Sequence, residues 1–228
     1  MIENNIKNCL ENLGTASLIQ AAMFEDGATI TSGGAVRTIS VPYTGRSPNA
    51  KRIVKDRITA KKIDWNNNTE MSDEEFELNL EGFLEYAEKL DRIYVQHVEA
   101  VRDPTQRFPV SVYTELASHS LFARNMFIPD RDENIEGWKV LDFPKMMMGP
   151  AVMISFERKI ILISGTKYAG EIKKSIFSVL NFEYPMNDGF PMHCSVNVDK
   201  NGKNPAIFFG LSRSEEHTSE LQSPDHLV

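Results

Sequence analysis

What most constrains this chain is an alternation. Short β-branched and aliphatic runs take turns with longer stretches of helical period along most of its length. Ile93-Tyr94-Val95-Gln96-His97-Val98 and Val110-Ser111-Val112-Tyr113 read as strands, as do Val152-Met153-Ile154 and Ile160-Ile161-Leu162-Ile163. The last two are close enough to form a hairpin, with its turn near Glu157-Arg158-Lys159. Helical stretches fall at 116–127, closed by Pro129, and at 169–180. The clearest helix comes before them all. Ser72 followed by Glu75 is a capping-box pair, and Asp73 and Glu74 suit the positive end of a helix dipole. Phe76, Leu80, Phe83, Leu84 and Ala87 then recur at three- and four-residue steps, giving one apolar face. Nearer the start, 6–23 has roughly helical spacing broken by Gly14, 37–41 reads as a strand, and 42–48 is a loop of turn formers. Residues 206–209 read as a final buried strand. The order predicts an α/β fold: a mixed sheet with helices packed on it.

A length of 228 residues allows one large domain, or one domain and part of another. With 25 Lys and Arg against 32 Asp and Glu the net charge is −7, which argues against a nucleic-acid partner. No apolar run approaches the ~18–20 residues that span a bilayer, so no membrane association is expected. Met1-Ile2-Glu3-Asn4-Asn5 is polar and acidic and does not read as a secretory leader. Cys9 and Cys194 are far apart, which suits a reducing compartment, and a cytoplasmic protein is expected. Cys194 has no base near it in sequence and reads as a small core residue.

Residues 213–228 do not read like the rest. Arg213 stands against Glu215, Glu216, Glu220 and Asp225, with no strand or helix period. RSEEHTSELQS resembles the in-frame translation of a sequencing-library adapter, and the expectation is an artefactual tail set apart from the fold.

Four segments carry polar residues that surface alone explains poorly. In Thr44-Gly45-Arg46-Ser47-Pro48 a tight loop can present the planar fork of Arg46 to a carboxylate or phosphate, though a solvated arginine fits the same five residues. In Gly165-Thr166-Lys167-Tyr168-Ala169-Gly170-Glu171-Ile172-Lys173-Lys174 a strand meets a glycine turn and a helix begins, aiming backbone amides outward. Lys173 and Lys174 there project about 100° apart and can serve different ligands, or simply face solvent. In Met192-His193-Cys194-Ser195 a histidine stands at the mouth of a strand, where metal ligation, proton transfer and plain exposure are all open. Phe208-Phe209-Gly210-Leu211-Ser212 matches the first positions of a phosphate-binding loop and little more.

Taken together, the order and spacing of TGRSP, GTKYAGEIKK, MHCSVNV and FFGLS resemble the ATP-dependent phosphoenolpyruvate carboxykinase family, and SHSLFARNMF and KKSIFSVLNFEYP agree. The resemblance covers most of residues 15–212 and corresponds to that family's N-terminal half. It implies a substrate-binding N-terminal α/β domain over 1–205, and at 206–212 the start of an ATP-binding domain. It further implies conversion of oxaloacetate and ATP to phosphoenolpyruvate, ADP and carbon dioxide, a step of gluconeogenesis. Arg46 and Tyr168 would contact the carboxylate substrate. Lys174 would sit where substrate, ATP and Mn²⁺ meet, as an uncharged metal ligand, with Lys173 as its electrostatic neighbour. His193 would be a second metal ligand near the γ-phosphate, and Gly210, Leu211 and Ser212 would open the ATP phosphate loop. Mn²⁺ is the implied cofactor, Mg²⁺ alongside it being left open, as is the oligomeric state. The family's loop continues with glycine, lysine and threonine, followed by a metal-ligating aspartate and an ATP-contacting arginine. Without them the expectation for this polypeptide alone is no turnover and poor solubility. The alternative is a non-catalytic module that binds dicarboxylates or other anions through Arg46 and the lysine turn.

Overall fold

The computed structural model describes residues 8–43, 45–101, 103–129, 136–147 and 149–210. Thr44 of the arginine loop, Leu211, Ser212 and the tail 213–228 lie outside the described residues. The chain divides into two compact units, Met1–Val179 and Leu180–Val228.

In chain order the first unit contains β1 (Cys9–Glu11), α1 (Thr15–Glu25), the short hairpin β2 (Thr29–Ile30) and β3 (Val36–Arg37), β4 (Lys51–Val54) and β5 (Thr69–Met71). There follow α2 (Asp73–Ala87), β6 (Ile93–Glu99), β7 (Pro109–Thr114), α3 (Ala117–Met126), β8 (Ile128–Pro129), β9 (Trp138–Phe143), β10 (Ala151–Ser155), β11 (Ile160–Ser164) and the start of α4 (Gly170–Glu183). Nine strands make one sheet in the order β1-β6-β7-β9-β11-β10-β4-β5, with β8 on β6. The β6–β7 and β10–β11 pairs are antiparallel and the other neighbours along the path are parallel, so the sheet is mixed as expected.

Strand alternation sends successive side chains to opposite faces. Ile93, Val95, Tyr113, Leu141, Phe143, Met153 and Leu162 meet Phe76, Leu80, Phe83 and Ala87 of α2 in one buried cluster. Tyr94, between Ile93 and Val95, instead joins Leu18 and Ala22 of α1 and Ala117 and Leu121 of α3. Helix α2 starts where the capping box put it, with the Ser72 hydroxyl accepting the Glu75 N–H at 3.0 Å. The β10–β11 hairpin also stands, its turn closed by Lys159 in the left-handed region at φ 53°.

Two expectations for the first unit are corrected, and one strand was missed. The stretch 6–23 is not one helix: Cys9–Glu11 is a strand paired parallel to β6, and the helix begins only after Gly14. The strand expected at 37–41 shrinks to Val36–Arg37, because only β2 is there to pair with it. The central strand β9 went unread because Lys139 and Asp142 interrupt its apolar run. Gly137 leads into β9, and a Cβ there would overlap the Pro109 carbonyl, so this position needs glycine.

In the second unit, a short 3-10 turn at Tyr184–Asn187 precedes an antiparallel ribbon of β12 (Ser195–Asn197) and β13 (Ala206–Phe208). Its turn is organised by Asp199, whose Oδ1 accepts the N–H groups of Asn201 (2.9 Å) and Lys203 (2.8 Å) and whose Oδ2 accepts from Asn204 at 2.9 Å. The strand expected at 206–209 exists but is exposed, not buried: Phe209 is 63% exposed and Ile207 46%. A two-stranded ribbon has too few neighbours to cover its own side chains. Cys194 is half-buried rather than core, and neither cysteine is in a disulfide. Among the described residues, no helix is long and apolar enough to cross a membrane.

Candidate functional site

The site begins where β11 runs out. Its last residue, Ser164, is followed by Gly165 at φ 64°, a left-handed conformation that costs glycine nothing. The chain then turns through Thr166–Ala169 (the Thr166 hydroxyl accepts the Tyr168 N–H at 3.2 Å) and enters α4 at Gly170. Gly170 has a steric reason. A Cβ built there would lie 2.6 Å from ring atoms of Tyr168, so only glycine lets the half-buried tyrosine fold against the first turn of the helix.

Glu171 follows, only 4% exposed. Its Oε1 accepts the backbone N–H of Ser47 at 2.6 Å, tying the loop that carries Arg46 to the first turn of α4. Past that loop a single 3-10 turn, Pro48–Ala50, delivers the chain into β4, whose first residue Lys51 lies in register with Val152 of β10. These connections gather Arg46, Ser47, Pro48, Lys51, Glu171, Lys174 and Ser175 around one shallow cleft over Val152.

The cleft is cationic. Burial, and after it the charges of Lys173 and Arg46, push the Lys174 ammonium below the ordinary lysine range. Lys51 is pushed down as well, by burial first and Arg46 second. An arginine fork and two lysines whose charges disfavour one another form a seat that a carboxylate or phosphate relieves. Another cavity of the unit, about 380 Å³, lies elsewhere and is lined by Thr15, Ile19, Val36, Thr38, Ser118, His119, Leu121, Phe122, Asn125, Met126 and Ala169. It has no lysine, arginine or acidic side chain in its walls.

Of the residues singled out in the sequence, Arg46 and Lys174 are therefore brought to one cleft, and Tyr168 lies against the first turn of the helix that carries Lys174. Lys173 acts on Lys174 through its charge. His193 belongs to the second unit, exposed and two residues ahead of β12. Gly210 is exposed and is the last described residue, while Leu211 and Ser212 lie outside. Among the described residues there is no group of three or more His, Cys, Asp or Glu placed to hold a metal.

Two members of the site escaped the sequence reading. Lys51 carries no motif of its own, and only the register of β4 beside β10 puts it near Arg46. Glu171 sat inside the basic motif, and an acidic residue two positions ahead of a lysine pair was the available signal.

Fold and cleft together define a class: an α/β domain with a cationic cleft where a sheet strand hands over to a helix. Comparison with known proteins makes this specific. The family model described as phosphoenolpyruvate carboxykinase, of the ATP type, matches residues 7–219, and the chain belongs to that family. It is 38% identical to the phosphoenolpyruvate carboxykinase (ATP) of Bacillus velezensis over 97% of this chain and 44% of that protein. Against the Bacillus subtilis protein of the same description the identity is 37%, with the same coverage. With that of Rhodopseudomonas palustris it is 38% over 94% of this chain and 42% of the relative. The chain thus spans somewhat less than half the length of the relatives it matches.

Proposed function

We propose that the protein to which this sequence belongs is an ATP-dependent carboxy-lyase of gluconeogenesis, turning oxaloacetate and ATP into phosphoenolpyruvate, ADP and carbon dioxide, and that the α4 cleft is where it seats the dicarboxylate. The observation that carries this reading is the convergence of Arg46, Lys51 and Lys174 on one cleft, braced by the Glu171–Ser47 hydrogen bond.

The chemistry suits such a seat. Loss of carbon dioxide from oxaloacetate leaves an enolate, and its oxygen then takes the γ-phosphoryl group from ATP. Negative charge stays on the remaining carboxylate and develops on the enolate oxygen, so fixed cations stabilise both steps without reorganising. In this reading Arg46 pairs with the carboxylate through its fork, Lys51 adds a second positive charge, and Tyr168 flanks the substrate. Lysine ligates a metal only when deprotonated, and the depression of Lys174 runs in that direction, which fits a nitrogen donor to a divalent cation. His193 is proposed as a further donor, and Gly210, Leu211 and Ser212 as the opening of the ATP phosphate loop, on the sequence resemblance alone. A bound Mn²⁺ would supply Lewis-acid stabilisation of the developing charge.

Isothermal titration of the chain with oxalate, with and without ATP and Mn²⁺, tests the reading. Oxalate is expected to bind, Arg46→Ala to abolish the heat of binding, and the variant to keep its stability within about 0.5 kcal/mol because Arg46 is exposed. Binding strengthened by ATP and Mn²⁺ supports the carboxykinase. Binding indifferent to both supports the alternative, a dicarboxylate-binding module without catalysis, and no binding overturns both.

A further inference from the structure

His119 has no part in the chemistry above, yet it is 3% exposed and bonded at both ring nitrogens. We propose that it is a positioning residue for the cleft: a buried imidazolium that clamps Asp142 of β9 to the carbonyl of Lys167 and so fixes the turn from which Tyr168 and α4 depart.

The protonation follows from its partners. Nε2 lies 3.1 Å from the Lys167 carbonyl oxygen, which can only accept, so Nε2 carries a proton. Nδ1 lies 2.7 Å from Asp142 Oδ2. That oxygen already accepts the Thr114 hydroxyl at 2.8 Å, and the Thr114 oxygen in turn accepts the Leu116 N–H at 3.3 Å. A carboxylate oxygen engaged as an acceptor draws a proton from Nδ1 too, and a ring with two N–H groups is charged. Sheet register builds the arrangement: Thr114 and Asp142 are direct partners on β7 and β9, which puts them side by side on one face, and α3 lays His119 over them.

The charges facing His119 agree. Asp142 faces it from β9, and Asp26, which ends α1, acts on it from the start of α3, where its Oδ2 accepts the Ser118 N–H at 2.7 Å. On its own helix, Arg124 is turned toward Gln96 Oε1 at 3.5 Å. Burial by itself pulls the imidazole down, but Asp142, the Lys167 carbonyl and Asp26 outweigh it, and the net displacement is upward. Lys167 precedes Tyr168 directly and Gly170 by three residues. Holding its carbonyl therefore holds the backbone that aims the tyrosine ring and the first turn carrying Glu171. The clamp's purpose rests on the proposed function, whereas its existence does not.

Two readouts keep these apart. In the histidine-labelled chain at pH 7, nitrogen NMR is expected to find both His119 ring nitrogens protonated. A neutral tautomer there overturns the proposal. His119→Phe removes both donors and is expected to weaken oxalate binding about tenfold, the scale seen when a group orienting a ligand-bearing side chain is lost. It is also expected to speed amide exchange at 168–172 while leaving β4 and β5 unchanged. His119→Gln, which keeps one donor, should recover part of both effects. Unchanged affinity and exchange in His119→Gln and His119→Phe overturn the positioning role, and should the phenylalanine variant fail to fold, the glutamine variant and the wild-type NMR still decide. If the wild-type chain ignores oxalate, the proposed function fails while protonation and exchange still judge the clamp.

Discussion

Beneath α2 the sheet presents Val54, Met71, Ile93, Val95, Leu141, Phe143, Met153 and Leu162, and the helix answers with Phe76, Leu80, Phe83 and Ala87. On the other face, beside the apolar cluster around Tyr94, the same strands present Gln96, Thr114 and Asp142, all buried, and α3 answers with His119 and Ser120. Both faces exclude water, but by different means. One needs only volume and shape, so its members can exchange hydrocarbon for hydrocarbon at modest cost. The other needs every donor matched, because an unpaired polar group in that setting costs its full desolvation penalty. The polar face is also the one that borders the turn and the cleft. The polar interior therefore sits where orientation matters, and the apolar interior where only cohesion does.

Substitutions can break this contrast. The largest effect is expected from Phe83→Ala, whose ring is fully buried with its centroid 5.7 Å from that of Phe143. Loss of about 3–5 kcal/mol in urea denaturation is expected, with oxalate affinity of the folded fraction unchanged. A shift in affinity would show that the apolar face also shapes the site. Asp142→Asn on the polar face is expected to cost about 1.5–3 kcal/mol, through weakening of charge-assisted hydrogen bonds, and to weaken oxalate binding as well.

Asp142→Asn should also flatten a pH profile. Because the folded pKa of His119 is raised, its contribution is complete below the ordinary histidine value of about 6.5 and is lost as pH climbs through the folded value. Stability curves measured from pH 6 upward should fall in the wild type and not in the variant, and parallel curves would remove the imidazolium from the account. The smallest effect is expected at the rim of the apolar face. Ser72→Ala removes the hydroxyl that caps α2 and should cost about 1 kcal/mol by thermal denaturation, with binding untouched.

The contrast also explains what could be read from sequence. Helix α2 was legible because its start is signalled by neighbours in the chain and its buried face repeats every three or four residues. The β10–β11 hairpin was legible because both strands are unbroken apolar runs. β9 was not, since Asp142 interrupts the pattern and is made burial-worthy only by Thr114 and His119, which arrive from elsewhere. The same holds for the site. Arg46, Tyr168 and Lys174 stood out through their motifs, whereas Lys51 and Glu171 gained meaning only when β4 met β10 and the Ser47 amide met α4. Leu84 shows the limit of periodicity itself: it belongs to the expected apolar stripe but is only partly buried at the stripe's margin.

The hydrogen bond between Glu171 and Ser47 involves a peptide bond that trypsin recognises, the one following Arg46. The N–H that Glu171 holds belongs to the linkage a protease must bend into its own active site to cut. An exposed loop of turn formers would ordinarily be nicked quickly, yet this one can be cut only during the moments when the carboxylate lets go. With cleavage slow relative to reclosure, the rate of nicking measures how often the loop leaves the helix. The digestion rate at a single bond thus becomes a clock for the opening of the cleft, one that any bound anion should slow.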